Sequence, residues 1–153
     1  MKKAFTLLEL IVVIIILGIL ATLGFTQYTK LVENMRGAEA KANIGSIRKL
    51  YVAYYLEHGT NGSMTSSDLS IGSDYPGSCV STNYFYYYWW ANSSSQIGIG
   101  AVRCTSAGKP PNGTHAFTWV HHVDASTGAA DWGCSENGAY SWLTSNPGSC
   151  PTY

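Results

Sequence analysis

Charged residues are scarce in this sequence, at 12% of its 153 positions, and basic ones are scarcest after residue 58. Residues 59–153 hold two basic and five acidic side chains, a net charge of −3, against seven basic and four acidic, or +3, in residues 1–58. Nucleic-acid binding needs clustered lysine and arginine to neutralise phosphates. The sequence therefore argues against nucleic acid as a general ligand.

Motifs that would indicate catalysis are also missing from the sequence. No nucleophile–base–acid constellation, glycine-rich phosphate loop or paired carboxylate motif stands out. His121 and His122 are adjacent, so on a strand they would point to opposite faces and could not easily chelate one metal ion. We expect no enzymatic activity, no cofactor and no metal site, and we expect both histidines to be surface or half-buried residues.

The four cysteines lack zinc-site spacing, because no CxxC pair occurs and their separations are 25, 30 and 16 residues. An even number of cysteines behind an export-type N-terminus predicts two disulfides formed in an oxidising compartment. Three pairings are possible, and free buried thiols are the alternative. We favour Cys79–Cys104 and Cys134–Cys150, since these close short loops, each stabilising the chain by roughly 3 kcal/mol.

The dominant positive feature is the apolar segment Phe5–Phe25, which contains a single acid, Glu9. Leu10–Thr29 is an uncharged run of twenty residues, long enough to cross the ~30 Å hydrocarbon core of a bilayer as a helix. A carboxylate in such a segment is costly without a partner and indicates function. The acid, the length of the run and the absence of a convincing cleavage site after Phe25 argue against an ordinary secretory signal peptide.

Beyond the apolar segment the helical pattern continues but becomes amphipathic. Apolar residues recur at spacings of four and three, which places them on one face of a helix: Ala40, Ile44, Ile47, Tyr51 and Tyr54. Gly59 and the following Thr60-Asn61-Gly62 predict the helix end. One helix over Phe5–His58 would be about 80 Å long, so its outer half must pack on something other than lipid.

The remaining residues predict a loop followed by strands. Tyr84–Trp90 is a dense run of β-forming aromatics, and Ile97–Arg103 and His115–Val123 alternate as strands do. In a strand this run has two faces, one formed by Phe85, Tyr87 and Trp89 and the other by Tyr84, Tyr86, Tyr88 and Trp90. One of the two faces should pack on the helix, and the other should be an outer surface, a subunit contact, or an adhesive or ligand-binding surface. The sequons at Asn61, Asn92 and Asn112 are expected to be turn residues, with glycosylation as the alternative.

The N-terminus resembles the type IV pilins and the related pseudopilins of type II secretion. These proteins carry a short basic leader cut before phenylalanine, then a sequence of the type FTLIEL and an apolar helix. Here Ala4/Phe5 looks like the cleavage junction, Gly18 matches a small residue of the run, and Tyr28 a tyrosine beyond it. The residues in register after the junction are Phe5, Thr6, Leu7, Leu8, Glu9 and Leu10. Ala4 replaces the usual glycine.

The resemblance implies that prepilin peptidase removes residues 1–4 and that the new Phe5 amine is methylated. It implies that Glu9 sets the register of a helical homo-oligomeric fibre by pairing with the Phe5 amine of a neighbouring subunit. The alternatives are pairing with the Phe5 amine of the same chain and interaction with Glu9's own helix N-terminus. The partners would be other pilins and the inner-membrane assembly platform. Thr26 stands where many pilins have a helix-kinking proline, and no proline occurs before Pro76.

We therefore expect an α+β fold of the type IV pilin kind. Its parts would be a leader (1–4), a membrane and fibre-core helix (5–29), an amphipathic helix (30–58) and a head (59–153). Within the head we expect a connecting loop (59–83), an antiparallel sheet (84–133) and an irregular disulfide-bounded end (134–153). The expected role is a type IV pilus subunit, held in the inner membrane with a periplasmic head before assembly. The alternatives are a pseudopilin or a low-copy tip pilin acting as adhesin or receptor.

Overall fold

A computed structural model of the chain describes residues 6–109, 117–136 and 139–143. One long helix, α1 (Leu7–His58), is followed by a 3-10 helix at Ser66–Leu69 and an antiparallel sheet. The strands are β1 (Phe85–Ala91), β2 (Gln96–Arg103), β3 (Phe117–Asp124), β4 (Ala130–Glu136) and β5 (Ala139–Leu143). They pair in the order β1-β2-β3-β4-β5. The predicted α+β fold, a long N-terminal helix with a small antiparallel sheet, is confirmed.

α1 is continuous between its two end signals. At its C-terminus Gly59 adopts a left-handed conformation (φ 71°), and its N–H donates to the Tyr55 carbonyl at 2.7 Å. Glycine adopts this backbone conformation without steric penalty, which is why it commonly ends helices. The helix end predicted at His58 is confirmed.

The buried stripe of α1 begins earlier than the sequence analysis indicated. Ala40, Ile44, Ile47 and Tyr51 are fully buried, as predicted. The same alternation of three and four residues continues towards the N-terminus through Gly37 to Glu33, which are also buried. A carboxylate therefore occupies the first position of a stripe whose other members face the core.

The inner face of the sheet covers this stripe. β1 contributes alternate aromatic side chains, β2 and β3 contribute alternate apolar ones, and the connecting segment adds three more. The buried residues are Phe85, Tyr87, Ile97, Ile99, Ala101, Trp119, Val123, Met64, Leu69 and Ile71. Sheet and helix thus bury one apolar layer between them, which neither could do alone.

Two details of the sheet differ from the sequence prediction. β4 extends to Glu136, and β5 adds a fifth strand in the region expected to be irregular, pairing from Trp132↔Leu143 to Glu136↔Ala139. Because glycine, serine and proline are frequent near the C-terminus, the sequence did not indicate this short β-forming segment. Tyr84 lies one residue before β1 and packs against the core on the helix side, because the strand alternation begins only at Phe85.

A buried ion pair joins α1 to the end of β2. Arg103 is 1% exposed and Glu33 4%, and the guanidinium binds the carboxylate through two hydrogen bonds, Nε to Oε2 at 3.1 Å and Nη2 to Oε1 at 3.2 Å. Nη1 donates to the backbone carbonyls of Tyr84 (2.8 Å), Cys104 (3.3 Å) and Lys109. Buried charges are tolerated when they are paired and hydrogen-bonded in this way.

A disulfide lies next to the ion pair. Cys79 and Cys104 are joined with a Cα–Cα distance of 5.8 Å, the first of the two predicted bridges. It ties the segment before β1 to the residue after Arg103. Cys134 is buried in β4, and Cys150, its predicted partner, lies outside the described residues.

Glu33→Gln should lower the free energy of unfolding by about 3–5 kcal/mol, because the buried Arg103 guanidinium then lacks the carboxylate of Glu33. Arg103→Met should cost less, because Glu33 keeps its ion pair with Arg36. Urea unfolding of the full chain in detergent, followed by near-UV circular dichroism, measures the change. Lys49→Met, which removes an exposed cation of the same helix, should change stability by less than about 0.5 kcal/mol. Equal effects of Glu33→Gln and Lys49→Met would contradict the prediction.

Candidate functional site

The N-terminus of α1 is closed by a reciprocal pair of polar side chains. Thr6 is in an extended conformation (φ −79°, ψ 149°), and its Oγ1 accepts a hydrogen bond from the Glu9 N–H at 3.3 Å. Glu9 Oε2 accepts from the Thr6 N–H at 3.0 Å and from its hydroxyl at 2.8 Å. This is a capping box, which satisfies donors that have no partner inside the helix. It also places a negative charge where the helix dipole favours one.

Within the single chain, Glu9 therefore interacts with its own helix terminus, which is the alternative that the sequence analysis weighed. All of these bonds use Oε2, and Oε1 makes no hydrogen bond to any of the described residues. The carboxylate retains capacity to accept a further donor. Its pairing with a neighbouring subunit stays a prediction, and the cleavage and methylation residues Ala4 and Phe5 lie outside the described residues.

The first half of α1 exposes an unusually large apolar surface. Its large aliphatic and aromatic side chains between Leu7 and Tyr28 are 43–76% exposed. Contiguous apolar surfaces of this kind mark membrane or protein contacts. α1 has the length and apolar composition needed to cross a membrane, and none of its most apolar window is buried by the head. This half of the helix requires an apolar environment that the described part of the chain does not supply.

A helix built in this way fits a membrane-anchored precursor with a head on its outer half. Residues 1–25 match the family model described as the prokaryotic N-terminal methylation motif, the leader signature of type IV pilins and pseudopilins. No solved structure matches the chain. The match covers 25 of the 153 residues, so the similarity to type IV pilins and pseudopilins rests on this N-terminal motif.

The paired histidines of β3 point to opposite faces, as predicted, but His121 is not at the surface. It is 1% exposed, its Nδ1 lies 3.0 Å from the Asp131 carbonyl, and its ring lies 4.2 Å from that of Trp132. The carbonyl can only accept, so Nδ1 carries the proton in the neutral ring. Burial of the ring, with the charge of Arg48 nearby, lowers the pKa of His121 to about 4. The sequence predicted that the two histidines point to opposite faces, but it did not predict that His121 is buried.

Metal-binding chemistry finds no support in the residues that the structure describes, where no group of three His, Cys, Asp or Glu side chains could hold an ion. His122 lies on the outer face of the sheet, with its ring edge-on to that of Trp90 at 5.5 Å. Burial also lowers its pKa. The two histidines belong to separate environments.

The sequon residue Asn61 has a structural role. It is 5% exposed, and its Nδ2 donates to the Ser93 carbonyl at 2.7 Å and the Gln96 carbonyl at 3.2 Å. It therefore joins the chain after α1 to the β1–β2 turn, and its amide is unavailable for a glycan in the folded protein. Asn92 accepts from Trp90 Nε1 at 2.9 Å, and Asn112 lies outside the described residues.

A cluster of cations surrounds Tyr84 and was not predicted from the sequence. Arg36, Lys109 and Arg103 lie 4.1, 4.7 and 5.1 Å from the centre of its ring. Arg103 and Lys109 are the two basic residues of 59–153, so the basic side chains of the head gather at one point beside α1. The available signal was the continuation of the helical stripe to Glu33, a carboxylate that needed a buried cation.

The buried His121 should make stability depend on pH. Its pKa of about 4 in the folded chain lies below the ordinary value of about 6.5. As pH falls from 6.5 to 4 the unfolded chain takes up a proton that the folded chain does not. Stability should fall by up to roughly 3 kcal/mol over that interval and level off below it.

The matched variant is His121→Asn, which keeps an N–H for the Asp131 carbonyl but does not titrate. Urea unfolding of both chains between pH 8 and pH 4 gives the difference in their free energies of unfolding. The difference should shrink towards acid, because only the wild type loses stability through this group. Parallel pH profiles would show that His121 titrates normally.

Proposed function

We propose that this chain is the structural subunit of a type IV pilus. Prepilin peptidase would cut between Ala4 and Phe5, the Phe5 amine would be methylated, and α1 would carry the subunit into a helical fibre. The observation that carries the proposal is the methylation motif of residues 1–25 on a helix whose first half is exposed and apolar. A head covers only the second half.

The apolar half of α1 suits two environments that it would meet in succession. Before assembly, the bilayer of the inner membrane would cover the apolar half, with the head in the periplasm. After assembly, the apolar halves of neighbouring subunits would take the place of the lipid. Exchange of one apolar environment for another costs little, so the same surface serves both states.

Glu9 is proposed to select the position at which a new subunit docks. A carboxylate within the hydrocarbon layer is expensive unless a partner neutralises it. The Thr6 cap provides hydrogen bonds but no positive charge, and Oε1 has no bond to the described residues. A protonated Phe5 amine of the previous subunit would provide that charge, so that one axial position is favoured over all others.

The head is proposed to move with the helix as one body. The Glu33–Arg103 pair and the Cys79–Cys104 bridge lie side by side where α1 enters the head. A force applied to α1 through the assembly platform would pass to the sheet through these contacts. The head surface would then form the outside of the fibre.

A pseudopilin of type II secretion is the second candidate, because the methylation motif is shared by both groups. Its fibre would stay in the periplasm. A tip or minor pilin would reach the surface at low copy number. Abundance in fibres sheared from cells separates the three: a pilus subunit should dominate them, a tip pilin should be scarce, and a pseudopilin should be absent.

Glu9→Gln should leave membrane insertion intact and suppress incorporation into fibres, because the amide cannot neutralise the Phe5 amine. Quantitative immunoblots of sheared fibres and of the membrane fraction measure the two effects. Thr6→Ala is the matched control, since it disrupts the same capping box but keeps the carboxylate, and it should still assemble. Glu39→Gln removes an exposed carboxylate from the outer half of α1 and should also assemble. Normal fibres from Glu9→Gln would refute the register role.

Intact-mass spectrometry of purified fibres should find the chain without residues 1–4, with one added methyl group. It should also lack the hydrogens lost to the Cys79–Cys104 and Cys134–Cys150 bridges. Loss of residues 1–4 and methylation would result from the proposed maturation at Ala4/Phe5. The two bridges would form in the oxidising periplasm. A chain that retains Met1–Ala4 in fibres would contradict the proposed processing.

A further inference from the structure

The outer face of the sheet carries a continuous row of aromatic rings, which we call the aromatic platform: Tyr86, Tyr88 and Trp90 of β1. These side chains are half-buried and lie on the face opposite the core. The rings of Tyr88 and Trp90 are 5.4 Å apart with planes 23° from parallel, and those of Tyr86 and Tyr88 are 6.2 Å apart at 36°. The rings of Tyr88 and Trp90 are therefore stacked side by side along the strand, and the ring of Tyr86 is tilted relative to that of Tyr88.

Two glycines of β2 lie beneath two of the three rings of the platform. Gly100 pairs with Tyr88 and Gly98 with Trp90, and both rings lean across onto the β2 backbone. A Cβ atom at Gly98 would lie 2.1 Å from the indole, and one at Gly100 would lie 2.3 Å from the phenol ring. Since only glycine leaves this space, one side of each ring rests on β2 and the other faces away from the sheet.

Stability alone does not account for the whole row. Aromatic cover of a strand glycine is a known way to stabilise sheets, and it explains Tyr88 and Trp90. Tyr86 pairs with Val102 instead, yet it continues the same row. The hydrogen bond from Trp90 Nε1 to Asn92 and the edge-on contact of Trp90 with His122 hold the indole in one orientation.

The charges near the platform restrict its ligand. The two basic residues of the head are engaged beside α1, where Arg103 pairs with Glu33 and Lys109 lies over Tyr84. The described strands present Asp131 beside His122 on the platform's side of the sheet. A polyanion such as DNA or an acidic membrane would find no matching charge among these residues. An uncharged ligand meets no such penalty.

We propose that the aromatic platform binds a neutral polysaccharide built of β-linked pyranose units. The face of a pyranose ring presents weakly positive C–H groups, which are attracted to the negative face of an aromatic ring. Successive sugar rings of an extended chain would lie over successive rings of the row. Hydroxyl groups at the sugar edges could bond to Asn92, His122 and the tyrosine hydroxyls. This inference does not depend on the role of Glu9 or on fibre assembly.

The test is calorimetric titration of the full chain in detergent micelles with cellohexaose and chitohexaose, which are neutral β-linked hexamers. We expect saturable binding of at least one hexamer. Trp90→Ala should weaken it by about tenfold or more, as removal of a stacking ring does elsewhere. Gly98→Ala should weaken it as well, because the new methyl group lifts the far end of the Trp90 side chain without removing any ring.

Gly45→Ala is the matched control for Gly98→Ala, since a Cβ at Gly45 meets nothing within 4 Å, and it should bind normally. Circular dichroism of each variant checks that the chain is folded. Absence of saturable binding by the wild type to either hexamer would overturn the proposal. Equal binding by wild type and Gly98→Ala would also overturn it, as would binding of heparin or oligo-dT at the same face. If wild type binds no sugar but Trp90→Ala and Gly98→Ala stop fibre formation, the face is a contact between copies and the proposal is wrong.

Discussion

The bidentate ion pair between Glu33 and Arg103 connects the three parts of this protein that must act together. Glu33 is the first buried position of the α1 stripe, Arg103 ends β2, and the Cys79–Cys104 bridge begins at the next residue. A guanidinium with five donors can bind a carboxylate and several carbonyls at once, and here it also holds Tyr84 and Lys109. The pair thus sets where the exposed part of the helix ends and the head begins.

The exposed half of α1 imposes the complementary requirement. Its apolar side chains cannot remain in water, so the folded chain is incomplete until lipid or other copies surround it. Glu9 is the one charged residue between Leu7 and Thr29, and the hydrogen bonds of the Thr6 cap use only one of its oxygens. The C-terminus of the helix is fully capped at Gly59, whereas Glu9 at its N-terminus can accept a further hydrogen-bond donor. This arrangement fits a subunit that is added to other subunits.

The head divides its two sheet faces between separate tasks. Phe85 and Tyr87 alternate with Tyr86 and Tyr88 along β1, so a single aromatic run supplies both the core and the platform. The rings of Tyr88 and Trp90 can lean onto β2 because that strand has glycine at Gly98 and Gly100. His121 and His122 show the same division, since adjacent residues enter a buried and a half-exposed environment.

Residue patterns alone determined the long helix, its end at Gly59, the stripe from Ala40 to Tyr51 and the alternation of β1 and β3, because these depend on local periodicity and on backbone preference. The methylation motif and the isolated Glu9 were likewise legible in residues 1–25. Only the tertiary structure decided that Glu33 pairs with Arg103, that His121 is buried, that Tyr84 turns towards α1 and that β5 extends the sheet. Each of these depends on contacts between residues far apart in the chain, and no local pattern specifies which distant partner a side chain meets.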